Sequence, residues 1–411
     1  MILRWFLSRT ARQAANLWRH ARRIVRAQRD VLDPQAEEKL GAAIVAVRSA
    51  MASRAEKKLL KQRMAELEKA MTRWLQPYPH AALRENIEII LVAVAVAVAI
   101  HTFFLKPFKI PTGSMQPTLY GITVEDLRDR PEVNIPSGLN RFFDFWFNGN
   151  SYYHKVAETD GTLEEVEPVQ HLFPFIRKQR FKLGGEWYSI WSPPEELAPR
   201  SRGVSPPAAF LLDYAGVEPG HLYHKGDDIL KVKLFAGDHL FVDRLTYNWR
   251  PPKRGEIIVF ETKGIREPQS GLPAMPQDQF YIKRMVAMGG ERVQIGDDRH
   301  LIINGRRLDH ATAHFENVYS FDPRKSPQPN QYSGHVNGLV ARRVTDTPIA
   351  PLFPDESAAF TVRPNHYLVM GDNTMDSYDG RAWGDFSRTN VIGKCFLVYW
   401  PISPRFGWSA Q

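Results

Sequence analysis

Cysteine is all but missing. Cys395 is the only one in 411 residues, which excludes an intrachain disulfide framework and a cysteine-based zinc site. Its setting, "GKCFLVYW", reads as a buried strand, a common place for free cysteine. None of the thirteen histidines falls in an HExxH or comparable spacing, so neither a metal nor any other cofactor is expected. No internal repeat or low-complexity tract stands out. Acidic residues are scarce at one end only: residues 1–86 hold 18 Lys plus Arg against 8 Asp plus Glu, while the other 325 residues hold 36 against 37. The net charge of +9 therefore belongs to an N-terminal arm, and no nucleic-acid partner is expected.

Only one long apolar run occurs, "IEIILVAVAVAVAIHTFFL" at 87–105, interrupted by Glu88 and His101 near its ends. As a helix these nineteen residues cover about 28 Å, close to the thickness of a bilayer core. Alternating Val and Ala also suit a strand, but a strand of that length is unusual and this one has no polar face. The expectation is one transmembrane helix. Charges beside it are nearly balanced, with Lys69, Arg73 and Arg84 before and Lys106 and Lys109 after, so the wider arm decides. The N-terminus is expected to be cytoplasmic and the C-terminal part translocated.

Residues 1–86 read as a basic helical arm, with Asp33 and Pro34 as cap and first turn of its second helix. Such an arm suits a lipid surface or a solvated hairpin, and its Arg-rich start also resembles an organellar targeting segment. After Gly121 the texture changes to short apolar runs between turn residues, and Asn304-Gly305 between "LII" and "RRL" marks a hairpin. The soluble part is expected to be mainly β.

Three segments carry chemistry. In "IPTGSMQPTLYG", residues 110–121, Pro111 and Pro117 stop the helix and present Ser114 on stiff extended backbone. A serine nucleophile needs a base. No histidine is tied to it by motif, but Lys283 in "QFYIKRMVAMGG" lies on an apolar strand where burial lowers a lysine pKa, with Arg284 on the opposite face. The third is the turn-rich "MGDNTMDSYDGRAWGDF", residues 370–386.

Taken in order behind a membrane helix, these segments resemble bacterial type I signal peptidases, membrane proteases with a serine–lysine dyad. "IPTGSMQPTL" is similar to the nucleophile box and "GDHLFVDRLTY" to the next. "KRGEIIVF" and "YIKRMVAMGGERV" resemble the strand pair that brings the lysine, and "GDNTMDSYDGRAWG" the last loop. The resemblance implies a mainly β, signal-peptidase-like fold of antiparallel sheets with inserted β-rich subdomains, preceded by the arm and the span. By motif position it makes Ser114 the nucleophile and Lys283 the general base, with Thr112 and the Ser114 N–H as oxyanion donors. Ser377 matches a hydroxyl that bonds the lysine, and Asp379 with Arg381 a structural ion pair. Phe108, Ile110, Met115, Leu119 and Ile282 match shallow apolar substrate pockets, or else serve as ordinary core.

The implied reaction is removal of N-terminal signal peptides from exported preproteins after small residues, Ala-X-Ala in type. The implied setting is a bacterial cytoplasmic membrane, crossed once, with the catalytic part on the outer face. Expected partners are signal peptides, membrane lipid and export machinery, the last through 1–86 or 121–236. The chain divides into 1–86, the span 87–105, a catalytic core of 106–120, 237–296 and 366–411, an insertion at 121–236, and a variable β subdomain at 297–365.

The insertion departs from the family pattern. It puts Ser114 and Lys283 169 positions apart, and its aromatic stretches "NRFFDFWFNGNSYY" and "GGEWYSIW" supply either a β core, which ring burial favours, or an exposed face. Gly380 and Ala382 flank Arg381 with no evident effect on the pair. Two competing readings remain: a self-cleaving repressor protease, opposed by the span, and a membrane-tethered scaffold on an inactive protease fold, opposed by an intact dyad.

Overall fold

The computed structural model describes residues 8–75, 81–130, 132–173, 176–194, 197, 210–268 and 270–408. They fall into two units, 1–96 and 97–411.

The first unit is helical, as the Ala-, Leu- and Lys-rich arm dictates. Helices α1 (Arg9–Ala27), α2 (Pro34–Ala52) and α3 (Lys57–Trp74) meet along small side chains. Ala14, Ala21, Val47 and Leu67 are fully buried there, while the basic residues face outward. Asp33 caps α2 by accepting from Gln35 N at 2.8 Å, with Pro34 in the first turn. Helix α4 (Ala81–Ala99) runs on through a wider turn at Ile100–Phe104. From Leu83 to Phe104 it gives 22 residues containing an 18-residue stretch of mean hydropathy 2.4, none of it buried, a helix long and apolar enough to span a bilayer. It ends at Phe104 rather than at 105, because Leu105 already pairs in a strand.

The second unit is built on an eight-stranded antiparallel sheet. Its strands are β1 (Leu105–Lys109), β2 (His239–Asp243), β3 (Ile257–Glu261), β4 (Phe280–Met288), β5 (His366–Met370), β6 (Phe386–Ser387), β7 (Val391–Trp400) and β8 (Gly407–Trp408). In space the order is β1-β2-β7-β3-β4-β5-β6, with β8 also on β7. Cys395 is buried in β7. Strand β4 is therefore central, paired with β3 through Ile258 opposite Lys283 and with β5 through Met370 opposite Arg284.

The insertion leaves and returns by paired strands, Thr123 lying opposite Phe235, so it hangs from the sheet as a closed loop. It contains a three-stranded sheet (123–126, 228–235, 150–156) and a five-stranded one with 176–183 at its middle. Phe181 stacks on Tyr188 at 5.4 Å within its core. "GGEWYSIW" thus helps form a β core through Tyr188 and Ile190. "NRFFDFWFN" does not: it is a helix, α5 (Gly138–Asn148), with no buried residue.

The other excursion forms a four-stranded sheet. Asn304 and Gly305 take φ of 51° and 79°, the positive pair that a tight hairpin turn requires. Arg292–Ile295 pairs into this sheet, so the subdomain begins before the expected boundary at 297.

Candidate active site

The loop between β1 and the insertion is closed on one residue. Ile110 N donates to the Asp238 carbonyl at 3.0 Å, Tyr120 N to Asp238 Oδ2 at 2.7 Å, and Asp238 N to the Tyr120 carbonyl at 2.8 Å. The fully buried Asp238 carboxylate is fixed in turn by Arg405 at 2.8 and 3.0 Å. Inside the loop, Met115 and Leu119 sink with Ile110 into a cluster with Leu240, Val242, Ile257 and Val259. Burial of that size holds each such side chain by roughly 2 kcal/mol. Ser114, beside Met115, is thereby set at the rim of the plug, 7% exposed.

Lys283 approaches from β4. Strand alternation sends it to Ser114 and its neighbour Arg284 to the other face. Lys283 Nζ donates a hydrogen bond to Ser114 Oγ. The lysine is 4% exposed, and burial pushes its pKa down to about 8; the Asp379 charge raises it and that of Arg381 lowers it. About a tenth of the amine is therefore neutral at pH 7, far more than for an ordinary lysine.

The loop after β5 packs onto both. Asn373 N donates to the Ser114 carbonyl at 3.1 Å, and Asn373 Nδ2 to the Gly113 carbonyl at 2.9 Å. Gly371 permits this approach, since a Cβ there would overlap the Ser114 carbonyl and Ser377 Oγ. Asp379 and Arg381, both 0% exposed, form a two-pronged ion pair at 2.9 Å on each side. Burial alone would raise the Asp379 carboxyl, but Arg381 and the backbone N–H groups of Gly371 and Arg381 hold it below the usual carboxylate range. Gly380 has its reason as well: a Cβ would come within 2.7 Å of the Val369 carbonyl.

Some expected placements differ. Ser377 Oγ is buried and has no hydrogen-bond partner among the described residues, so the expected bond to Lys283 is not made. Beside the dyad lies a cavity of about 440 Å³ lined by Thr112, Ser114, Ile282, Lys283 and Ser377. Ile282 belongs to its wall. Phe108 stands behind, edge-on to Phe280 of that wall at 5.3 Å. Ile110, Met115 and Leu119 do not line it; they form the floor beneath, because the loop needs them as its apolar anchor.

Other features escape sequence reasoning. Arg284 and Asp372 form a second buried two-pronged pair at 2.8 and 2.6 Å, extended by Thr118 Oγ1 at 2.5 Å to Asp372. Asp238 and Asp372 each follow a glycine in a "GD" pair, the one sequence signal they share. Thr347, Pro348 and Ile349 of the second subdomain complete the cavity wall, and nothing in their sequence marks them.

A buried hydroxyl against a partly neutral amine, with a cavity before it, can carry out acyl transfer. The model of one family, described as signal peptidase, peptidase S26, matches residues 83–126 and 230–400, just over half of the chain. Between the two matched segments, 127–229 lies within the insertion, and 1–82 and 401–411 are also outside the match. The signal peptidase I of Aquifex aeolicus is 30% identical over 192 residues, covering 41% of this chain and 70% of that protein. That of Leptolyngbya laminosa is 28% identical over 171 residues, 41% of this chain. That of Mycobacterium tuberculosis H37Rv is 29% identical over 202 residues, 42% of this chain. The matches span 64% and 60% of the length of those last two relatives. A crystal structure of a signal peptidase I from Enterococcus faecalis, 23% identical, covers 35% of this chain and 97% of its own, with a TM-score of 0.21. The chain belongs to the signal peptidase, peptidase S26, family.

Proposed function

We propose that this chain is a membrane-anchored serine endopeptidase that removes N-terminal signal peptides from exported preproteins. The observation that carries this reading is the Lys283–Ser114 hydrogen bond in a buried setting that brings the amine to about 8.

In the reaction, neutral Lys283 accepts the Ser114 proton and Oγ attacks the scissile carbonyl. Thr112 and the Ser114 N–H receive the developing oxyanion, each such donor worth roughly 3 kcal/mol in the barrier. Protonated Lys283 then gives its proton to the leaving amine, and water repeats the cycle on the acyl-enzyme. Ser377 is no partner of the amine in this state; the buried Asp379–Arg381 pair acts as the positioning element beneath it.

Preference for small residues is carried over from the family resemblance; in this reading Ile282, in the cavity wall beside the recessed serine, bounds the space for the side chain at the scissile bond. Ile282 and Phe108 remain pocket residues in this reading, with Ile110, Met115 and Leu119 as their support. The helix Leu83–Phe104 spans the cytoplasmic membrane with the basic arm inside, which follows from its 18 Lys and Arg. The catalytic unit then lies on the outer face.

The test is cleavage of a preprotein by the purified full chain, with the product's new N-terminus sequenced. Loss of cleavage in Ser114→Ala and in Lys283→Met, both still folded, supports the reading; retained cleavage in either ends it.

A further inference from the structure

Helix α5 lies in the stretch that the family match leaves out, and it is built in reverse of a helix that faces water. Arg141, Asp144 and Asn148 are spaced three and four apart, which puts them on one face. That polar face is engaged by the protein. Asp144 accepts from Asn148 Nδ2 at 2.8 Å, Asn150 Nδ2 at 2.9 Å and the Tyr152 hydroxyl at 2.7 Å, and Arg141 donates to the Tyr152 carbonyl. The apolar residues are left outside: Leu139 is 74% exposed, Phe142 54%, Phe143 51%, Trp146 54% and Phe147 49%.

This arrangement is held firmly. Trp400 Nε1 donates to the Trp146 carbonyl and Ile402 N to the Phe147 carbonyl, each at 2.7 Å, tying α5 to the end of β7. Phe145 rests on the Trp400 ring at 5.9 Å. The segment after β7 adds Ile402, Phe406 and Trp408, at least half exposed. An aromatic face of this extent is normally covered.

Two further observations identify the cover. Strand β1 begins directly after the apolar helix ending at Phe104, and its last residue, Lys109, lines the same cavity of about 610 Å³ as Arg141, Phe142 and Phe145. A five-residue strand covers roughly 17 Å, so the cavity that α5 borders begins within that reach of the end of the apolar run. The cavity behind the helix is lined by Lys109, Arg141 and Arg177, of which Arg141 is engaged with the Tyr152 carbonyl. An outward aromatic face backed by basic residues is the arrangement of a helix lying in a membrane interface, with Phe and Trp at the boundary where such rings concentrate.

We propose that α5 is an in-plane membrane anchor. Its Phe and Trp face enters the headgroup–acyl boundary of the bilayer that Leu83–Phe104 is proposed to span. The catalytic unit thus gains a second bilayer contact besides the span, which fixes the height of the cleft above the membrane.

The test uses the full chain in vesicles of phosphatidylcholine and phosphatidylglycerol. An environment-sensitive dye is placed through Phe143→Cys or Leu139→Cys, with Ser326→Cys in the second subdomain as an exposed control; native Cys395 is buried and unreactive by comparison. Both α5 labels are expected to emit to the blue of the control, to lose quenching by aqueous iodide and to be quenched by nitroxide on the lipid acyl chain. Iodide quenching equal to the control overturns the proposal. So does protection from both quenchers, which means that protein, another copy included, covers the face.

Discussion

Lys283 Nζ donates a hydrogen bond to Ser114 Oγ across 169 positions of sequence, and both side chains are buried. The 116 residues of the insertion account for most of that separation yet leave the contact intact. They enter and leave through adjacent strands whose stems meet at Tyr120 and Asp238.

If Lys283 is the base, its neutral form is the active one. With its pKa brought down to about 8, kcat/KM is expected to rise about tenfold per pH unit below that point and to level off above it. A pH–rate profile of preprotein cleavage measures this. A limb near pH 6 would point to a histidine instead.

The same burial has a stability consequence of definite sign. The folded-state pKa lies below that of the unfolded lysine, so the unfolded chain binds more protons between about pH 8 and the ordinary lysine range. Stability therefore rises with pH through that window, and the penalty is fully present below pH 8. Lys283→Met is expected to gain roughly 2–3 kcal/mol at pH 7 and much less at pH 10.5 while losing activity. Thermal unfolding at the two pH values checks it.

Removing one member of the Asp379–Arg381 pair leaves a fully buried charge without its partner. Asp379→Asn and Arg381→Met are each expected to destabilise by about 3–5 kcal/mol. The double variant should cost less than the sum, because the two side chains share one interaction. Urea unfolding of the three proteins measures the coupling. The depressed Asp379 carboxyl adds stability that is present above the unfolded carboxylate pKa and lost as pH falls through its folded value.

Thr112 is exposed and lines the cavity beside Ser114. Thr112→Val is expected to lower kcat by about 10²–10³-fold with KM and melting temperature little changed, whereas Thr112→Ser should keep most activity. Steady-state kinetics separates the two.

The sheet strands were legible because alternation and apolar runs are local signals: "EIIVF", "HYLVM" and "VIGKCFLVYW" all became strands of the central sheet. The hairpin at Asn304-Gly305 was legible for a similar reason, since backbone sterics alone demand those residues. Helix α5 was not. Its rings suggested a core, and only tertiary contacts to Asp144 and Arg141 decide which way the helix turns. Motif position brought Ile110, Met115 and Leu119 near the serine, but could not tell the wall of a cavity from the floor beneath it. Arg284 was correctly placed on the face away from Lys283; its partner Asp372 lies 88 positions on, beyond any spacing rule.

The most direct test of the dyad is kcat/KM for preprotein cleavage by Lys283→Met at pH 8, with circular dichroism to verify the fold. The expected result is a loss of at least about a thousandfold, as for a general base acting on a serine that cannot otherwise ionise. Activity within tenfold of the parent, in a folded variant, would contradict the role given to Lys283.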